Sequence, residues 1–175
     1  MIVVADAGPL IALAKIEGLA PLFDLYPRLL ITPAVYREAV TAGLTRNAHD
    51  AQQLQNAYEA GHLEMRMPAL HELPVPAQLG AGEAESIRLA IELRADWLLV
   101  DDLDARRVAD HSFQSAQVLT AMHGTLGVIV ASCRAGFLPR DQALDLIQAI
   151  KGRPDIWISA VLCDRVMEAL KQGAA

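Results

Sequence analysis

The sequence predicts an α/β fold with a mainly parallel central sheet. Short, continuous apolar runs at residues 1–5 and 97–100 are typical of strands that are buried on both faces. Stretches with apolar residues at helical spacing separate such runs, and strands that alternate with helices indicate a parallel sheet. Aromatic residues make up only 5% of the chain, so Leu, Ala, Val and Ile must supply the core, which favours helices over an all-β sandwich.

Turn and capping residues set the boundaries of the elements in the first half of the chain. Gly8 permits a tight turn, and Pro9 suits the first position of a helix. Thr32 offers a capping hydroxyl, and Pro33 after it again suits a helix start. In chain order, this half is predicted to contain strands over residues 1–5, 29–31 and 63–67, and helices over residues 10–16, 19–26, 34–42 and 48–60.

Glycine and proline also divide the second half of the chain. Residues 68–77 carry three prolines and are predicted to form a loop, the most flexible part of the protein. After it we expect strands over residues 97–100 and 117–119, and helices over residues 80–93, 103–110, 127–135, 138–150 and 159–170. At 175 residues the chain is predicted to form a single domain over residues 1–175, with its core motifs in residues 1–130 and C-terminal helices in residues 137–175.

Composition limits the class of function. The net charge of −6, with His neutral, argues against a protein that holds nucleic acid on a broad basic surface. No apolar run approaches the roughly 20 residues of a membrane span, and an acid follows the first five residues too soon for a signal peptide, so we expect a cytoplasmic protein with no membrane partner. Cys133 and Cys163 lack metal-ligand spacing and are expected to be buried thiols.

Carboxylates follow two of the predicted strands directly. Asp6 comes after the first strand, and Asp101, Asp102 and Asp104 come after the strand over residues 97–100. Because like charges a few Å apart repel and raise one another's pKa, a divalent cation is the simplest partner for such a cluster. Active sites in open α/β sheets lie beyond the carboxyl ends of the strands, so we expect these acids to converge at one edge of the sheet.

The acids other than Asp6 also have a purely structural interpretation. Glu83 falls in the first turn of a predicted helix, where the helix dipole favours a negative charge. Glu38 is compatible with a solvated helix face, and the run from Asp101 to Asp104 with a helix cap followed by an exposed loop. Together these interpretations explain less well why acids directly follow two buried strands.

Five segments share their order and spacing with one known family. They are residues 4–14, 32–38, 82–87, 99–106 and 124–129. No single segment is specific, but their order across most of the chain resembles that of PIN domains, in the small prokaryotic branch related to the toxin nucleases of toxin–antitoxin pairs. The resemblance implies a three-layer α/β/α sandwich with a parallel sheet, and an acidic cluster that binds Mg²⁺ or Mn²⁺.

The same resemblance implies a metal-dependent ribonuclease that hydrolyses phosphodiester bonds. The implied catalytic and metal-binding positions, in chain order, are Asp6, Glu38, Glu83 with Glu85 as a near neighbour, Asp102 or Asp101, and Asp104 as an assisting ligand. Most of these carboxylates are expected to hold the cation directly or through water, and one to act as general base.

One departure from the family pattern concerns support for the ligands. Relatives often carry Ser or Thr near the first and last acids, whereas Ala7 and Val100 stand at those places here. Groups that orient metal ligands set the strength of such sites, and the hydroxyl of Thr125 is a candidate for this role near the metal. Arg106 and Arg107 are predicted to balance the charge of the acids rather than to contact substrate.

Two other functions are compatible with acids at strand ends. A phosphatase of the haloacid dehalogenase type would need a second Asp two residues after the first, and Gly8 stands there. A catalytically silent domain that binds nucleic acid or protein is mildly favoured by Ala7, Val100 and the negative net charge. The expected partners are an RNA substrate, an antitoxin protein and a second copy of the chain, with the N-terminal helices and the Ala/Leu-rich C-terminal half as candidate surfaces.

Overall fold

The computed structural model describes residues 1–69 and 79–173, and within them five short strands form one parallel sheet. The strands are β1 (Val3–Ala5), β2 (Leu29–Ile31), β3 (Leu63–Met65), β4 (Trp97–Leu99) and β5 (Ala121–His123). Their order in the sheet is β3-β2-β1-β4-β5, so β1 lies at the centre. The predicted α/β class with a parallel sheet is therefore confirmed.

Helices connect the strands and continue after the last one. They are α1 (Ala7–Lys15), α2 (Leu19–Leu25), α3 (Pro33–Tyr36), α4 (Ala42–Leu44), α5 (His49–Glu59), α6 (Ala81–Leu93), α7 (Leu103–Ala116), α8 (Thr125–Arg134), α9 (Arg140–Lys151) and α10 (Ala160–Lys171). A π-helical turn over Arg37–Thr41 joins α3 to α4. None of the helices over residues 1–69 and 79–173 combines the length and the hydropathy that a membrane span requires.

Alternation along the strands creates two separate apolar layers. Val3 and Ala5 of β1 pack into a core formed with α1, α5, α8, α9 and α10, whereas Val4 between them packs against α6 and α7. Successive side chains of a strand point to opposite faces, so each strand contributes to both layers. The sheet is thus covered on both sides, which is the predicted three-layer α/β/α sandwich.

The strand order reverses direction at β1, and this places the site. Chain segments run outward from β1 through β2 to β3 on one side, and through β4 to β5 on the other. Ala5 pairs with Leu99, so β1 and β4 end at the same level. Parallel sheets form their binding crevice at such a reversal, outside the carboxyl ends of the strands. The residues that follow Ala5 and Leu99 therefore lie beside one another.

Some predicted boundaries were wrong. The strand expected over residues 117–119 does not form, because α7 continues to Ala116 and ends on Gln117 in the left-handed conformation (φ 54°). The last strand begins later, at Ala121, where Met122 pairs with Leu98 of β4. The helix expected over residues 34–42 is interrupted by the π-helical turn. The loop predicted over residues 68–77 falls mostly outside the described residues.

The two cysteines differ in burial. Cys163 is fully buried, as predicted, while Cys133 on α8 is only partly buried. Both are free thiols.

Candidate active site at the carboxyl ends of β1 and β4

A cleft of about 660 Å³ opens at the carboxyl ends of the two central strands. Five of the acids implied by the resemblance contribute to its wall: Asp6, Glu38, Glu83, Asp101 and Asp102. These residues come from four separate segments of the chain, and the sheet and the helices around it bring them together. The cleft is therefore the structural counterpart of the acidic cluster expected from the sequence.

Asp6 lies deepest in this cleft. It directly follows β1 and caps α1, where one carboxylate oxygen accepts a long hydrogen bond of 3.5 Å from the Gly8 N–H. The residue is only 6% exposed, and its Oδ1 atom is buried without a hydrogen-bond partner among the residues that the structure describes. Burial raises the pKa of Asp6 to about 7, and the nearby charges of Glu38 and Glu83 contribute to the rise. A buried, crowded carboxylate with an unsatisfied oxygen is the chemical environment that a cation would relieve.

Glu38 approaches Asp6 across the N-terminus of α6. It sits in the π-helical turn, a feature that is frequent at functional sites. A Cβ atom at Gly82 would lie 3.1 Å from Glu38 Oε2 and 3.2 Å from Asp6 Oδ1, so only a glycine leaves both carboxylates in their observed positions without displacement. Burial, followed by the charge of Glu83, raises the pKa of Glu38 as well. The absence of a side chain at Gly82 thus leaves space for the Asp6 and Glu38 carboxylates beside α6.

Glu83 and Glu85, on the first turns of α6, have different partners. Glu83 reaches back to accept a hydrogen bond of 2.8 Å from the Gly80 N–H, in agreement with its structural interpretation, while still lining the cleft. Glu85 accepts a hydrogen bond of 3.0 Å from the Ala34 N–H at the start of α3 and does not line the cleft. Glu83 is therefore the cleft acid of this pair, and Glu85 holds α3 and α6 together.

The structure distinguishes the roles of the two consecutive aspartates after β4. Asp101 accepts hydrogen bonds from the Thr125 hydroxyl (2.5 Å) and the Thr125 N–H (2.7 Å). Asp101 Oδ2 and Asp6 Oδ2 both lie 3.8 Å from the position that a Cβ would take at Gly8. Asp102 instead caps α7, with one oxygen accepting from the N–H groups of the next turn at 2.8 Å. Asp101 therefore lies near Asp6 beside Gly8, while Asp102 both caps α7 and lines the cleft.

Asp101 is held by its neighbours in a fixed orientation. Burial raises its pKa, while the two Thr125 hydrogen bonds and the charge of Arg106 act in the opposite direction. The Arg106 guanidinium donates to the Val100 carbonyl at 3.1 Å, so it ties α7 to the end of β4 and balances the acid, in agreement with the role predicted for it. Thr125 supplies a hydroxyl at a site where Ala7 and Val100 offer none.

Asp104 lies outside the cleft lining. Its side chain is 79% exposed and accepts a hydrogen bond of 2.8 Å from Arg107 on the next turn of α7. The assisting metal role that the resemblance implied for Asp104 has no support in this placement, since its solvated pair with Arg107 is separate from the acids that line the cleft.

The residues that form one wall of the cleft were not predicted from the sequence. Lys15 at the end of α1 and residues 155–158, between α9 and α10, line it together with the acids. Residues 155–158 include Trp157, which is 96% exposed. A tryptophan in a polar, proline-containing segment of an aromatic-poor chain was a signal available in the sequence.

The arrangement of carboxylates fits a divalent cation that keeps part of its water. Across residues 1–69 and 79–173, no group of three or more His, Cys, Asp or Glu side chains is arranged to hold a metal ion by itself. Mg²⁺ prefers one or two carboxylates and several waters over a complete protein cage. The unsatisfied Asp6 Oδ1 atom offers one such donor, and Glu38, Glu83 and Asp101 are further carboxylates within the same cleft.

Comparison with known proteins agrees with the fold. A family model described as a PIN domain matches residues 2–172, nearly the whole chain. No curated protein and no solved structure gives a match. Members of this family are generally nucleases and typically use divalent metals. The chain, with its five-stranded parallel sheet and its acid-lined cleft, belongs to the PIN domain family.

Proposed function

We propose that the protein is a metal-dependent ribonuclease that hydrolyses phosphodiester bonds in the cleft at the ends of β1 and β4. The observation that carries the proposal is the Asp6 carboxylate, which is buried, unsatisfied at Oδ1 and crowded by Glu38 and Glu83. A structural role would not require a charged group in such a place, since an apolar or amide side chain would avoid the cost of burying it.

In the proposed reaction, different residues of the cleft have different roles. Asp6 and Asp101 would hold a divalent cation from neighbouring strands, and Thr125 would keep Asp101 in the orientation required. When bound, such a cation offsets the charge of the phosphodiester and makes water a better nucleophile. Glu38, with a raised pKa and access to solvent, is best placed to accept a proton from the attacking water. The P–O bond to the leaving oxygen then breaks, and that oxygen takes a proton from solvent.

The proposal is tested with a short fluorescent single-stranded RNA and Mn²⁺ or Mg²⁺. We expect cleavage that EDTA abolishes, and a loss of cleavage in Asp6→Asn with the fold intact by circular dichroism. Asp110→Asn is the matched control, since Asp110 is an exposed acid on α7 whose side chain pairs with Gln114. Full activity in the Asp6→Asn protein would refute the proposal.

The same protein preparations also test two alternative functions, a silent binding domain and a phosphatase. A silent binding domain would give no cleavage and no Mn²⁺-dependent rise in melting temperature. A phosphatase would release phosphate from a small monoester such as p-nitrophenyl phosphate, which a nuclease leaves intact. The Thr125 hydroxyl on Asp101 supports an active site over a silent one, because it supplies the orienting group that Ala7 and Val100 lack.

We also propose that the chain acts as the toxin of a toxin–antitoxin pair, with an antitoxin and a second copy as partners. Support comes from the family resemblance alone. Induced expression of the chain in a bacterial host should arrest growth, while Asp6→Asn should not. Sedimentation of the purified protein measures whether it forms a dimer, and normal growth under full expression would contradict the toxin assignment.

A further inference from the structure

One wall of the cleft presents a tryptophan to solvent. Trp157 lines the same cleft as Asp6 and Glu38, yet 96% of its surface is exposed. The chain's other tryptophan, Trp97, is partly buried and its ring lies 3.9 Å from the ring of His123. A tryptophan combines a large apolar ring with an N–H group, so at this position it is suited to contact a partner that enters the cleft.

Ion pairs and hydrogen bonds fix the segment that carries Trp157. Arg153 binds both carboxylate oxygens of Asp155 at 3.0 Å, and Lys15 Nζ lies 2.9 Å from Asp155 Oδ2. Lys15 Nζ also donates to the Asp155 carbonyl at 3.0 Å, and Arg153 donates to the Lys15 carbonyl at 3.3 Å. Ile156, next to the tryptophan, is buried in the core.

This network connects the tryptophan to the acids through a single helix. Lys15 is the last residue of α1, and Asp6 caps the first turn of the same helix. The backbone at Trp157 is therefore held at a set position relative to the Asp6 carboxylate. A tryptophan side chain has only two χ angles, so on a fixed backbone its ring loses little conformational freedom when it binds a flat partner.

We infer that Trp157 is a base-stacking residue, which packs against a nucleobase of the strand whose phosphate lies at the carboxylates. The inference rests on the proposed ribonuclease function and adds to it a residue that touches the base. An acidic protein with a net charge of −6 gains little affinity from non-specific attraction to phosphates, so it needs a binding contribution that does not depend on charge. Every base has a π-face, and an aromatic side chain beside the cleft supplies that contribution.

The alternative occupant of Trp157 is another protein, either a second copy or an unrelated partner. The position of the ring favours a base, because the tryptophan belongs to the wall of the cleft that the acids line. A protein covering Trp157 would also cover the entrance to the carboxylates.

The test measures RNA binding without turnover. Full-length protein carrying Asp6→Asn is titrated into a short fluorescent single-stranded RNA, and the Kd is read from fluorescence anisotropy. Removing an aromatic–base stack costs about 5- to 150-fold in affinity, so we expect Trp157→Ala to raise the Kd by that factor and Trp157→Phe to restore most of it. Leu119→Ala is the control, since Leu119 is a fully exposed apolar side chain outside the cleft lining.

A second arm distinguishes stacking from other contacts of the ring. RNA with abasic sites in place of its bases should bind equally well to the protein with Trp157 intact and to the Trp157→Ala variant, since the stacking partner is missing. Unchanged RNA affinity in Trp157→Ala would overturn the inference, as would no measurable RNA binding at all, or a change only in sedimentation. Cleavage by the protein with Asp6 intact is scored separately, so a Trp157-dependent Kd without cleavage would refute the proposed activity and not the stacking contact.

Discussion

The buried Asp6 carboxylate makes the stability of the metal-free protein depend on pH. Its pKa rises from 3.8 to about 7 on folding. Between these values the folded protein binds a proton that the unfolded chain has lost, so the free energy of unfolding falls as pH rises through this window. The perturbation we choose is Asp6→Asn, which removes the charge and keeps the shape of the side chain.

The size of the effect follows from the shift. About three pKa units at 1.36 kcal/mol each correspond to about 4 kcal/mol of destabilisation at pH 8, a value fully developed only above the folded-state pKa. The Asn amide brings an N–H₂ group whose incomplete pairing costs about 1–3 kcal/mol. We therefore expect Asp6→Asn to stabilise the metal-free protein at pH 8 by about 1–3 kcal/mol, or about 2–12 °C in melting temperature.

The assay is thermal unfolding in EDTA at pH 5 and pH 8, followed by circular dichroism. At pH 5 the penalty from Asp6 falls to about 1–2 kcal/mol, because this pH is only slightly above the unfolded-state pKa. The cost of the Asn amide offsets that remainder, so the gain from the substitution should disappear. With Mn²⁺ at about 100 times its Kd, the protein with Asp6 intact should gain about 2.7 kcal/mol at pH 8, whereas Asp6→Asn should gain little. A variant that is less stable than the parent at pH 8 in EDTA would show that the charge is satisfied, and would refute this reasoning.

Three further predictions concern the other acids and the glycines between them. Glu38→Gln should lower kcat by about 10²- to 10⁴-fold, because it removes a proton acceptor, while RNA affinity should change little. Single-turnover cleavage measures the rate, and an equal loss in RNA affinity would contradict the role of Glu38 as a proton acceptor. Gly82→Ala should weaken Mn²⁺ affinity, measured by calorimetry, because the added methyl would lie 3.1 and 3.2 Å from two carboxylate oxygens. Gly8→Ala is the control and should leave the affinity unchanged, because its added methyl would have contacts of 3.7 Å or more. Equal Mn²⁺ affinities of the two variants would show that the carboxylates move freely. Asp101→Asn should reduce cleavage more than Asp104→Asn does, since Asp101 faces the cleft and Asp104 pairs with Arg107 in solvent; the reverse order would show that the ligand is assigned to the wrong acid.

Sequence patterns located the central strands and the deepest acid because these depend on local chemistry. An apolar run followed at once by Asp6 or Asp101 predicts a buried strand that ends at a polar edge. The choice between Asp101 and Asp102 depends on which carboxylate meets Thr125, and that contact spans 24 positions of the chain. Sequence spacing alone carries no information of this kind, so both acids remained candidates.

Two further features, strand β5 and the segment around Trp157, could not be predicted from local sequence patterns. Strand β5 is made of Ala121, Met122 and His123, which have low strand propensity and form a strand only by pairing with β4. The segment around Trp157 joins the cleft through ion pairs between Lys15 and Asp155, which are 140 positions apart. Such contacts are set by the completed fold, and no window of sequence contains both partners.

The tie between Lys15 and Asp155 has a consequence for the order in which the cleft is assembled. A ribosome makes Lys15 140 residues before it makes Asp155, and Asp6 earlier still. A nascent chain that has reached only the end of α8 therefore carries Asp6, Glu38, Glu83 and Asp101 but not yet Asp155 or Trp157. Because the wall that contains Trp157 is the last part of the cleft to be synthesised, the proposed base-stacking residue joins the growing chain only after those four carboxylates.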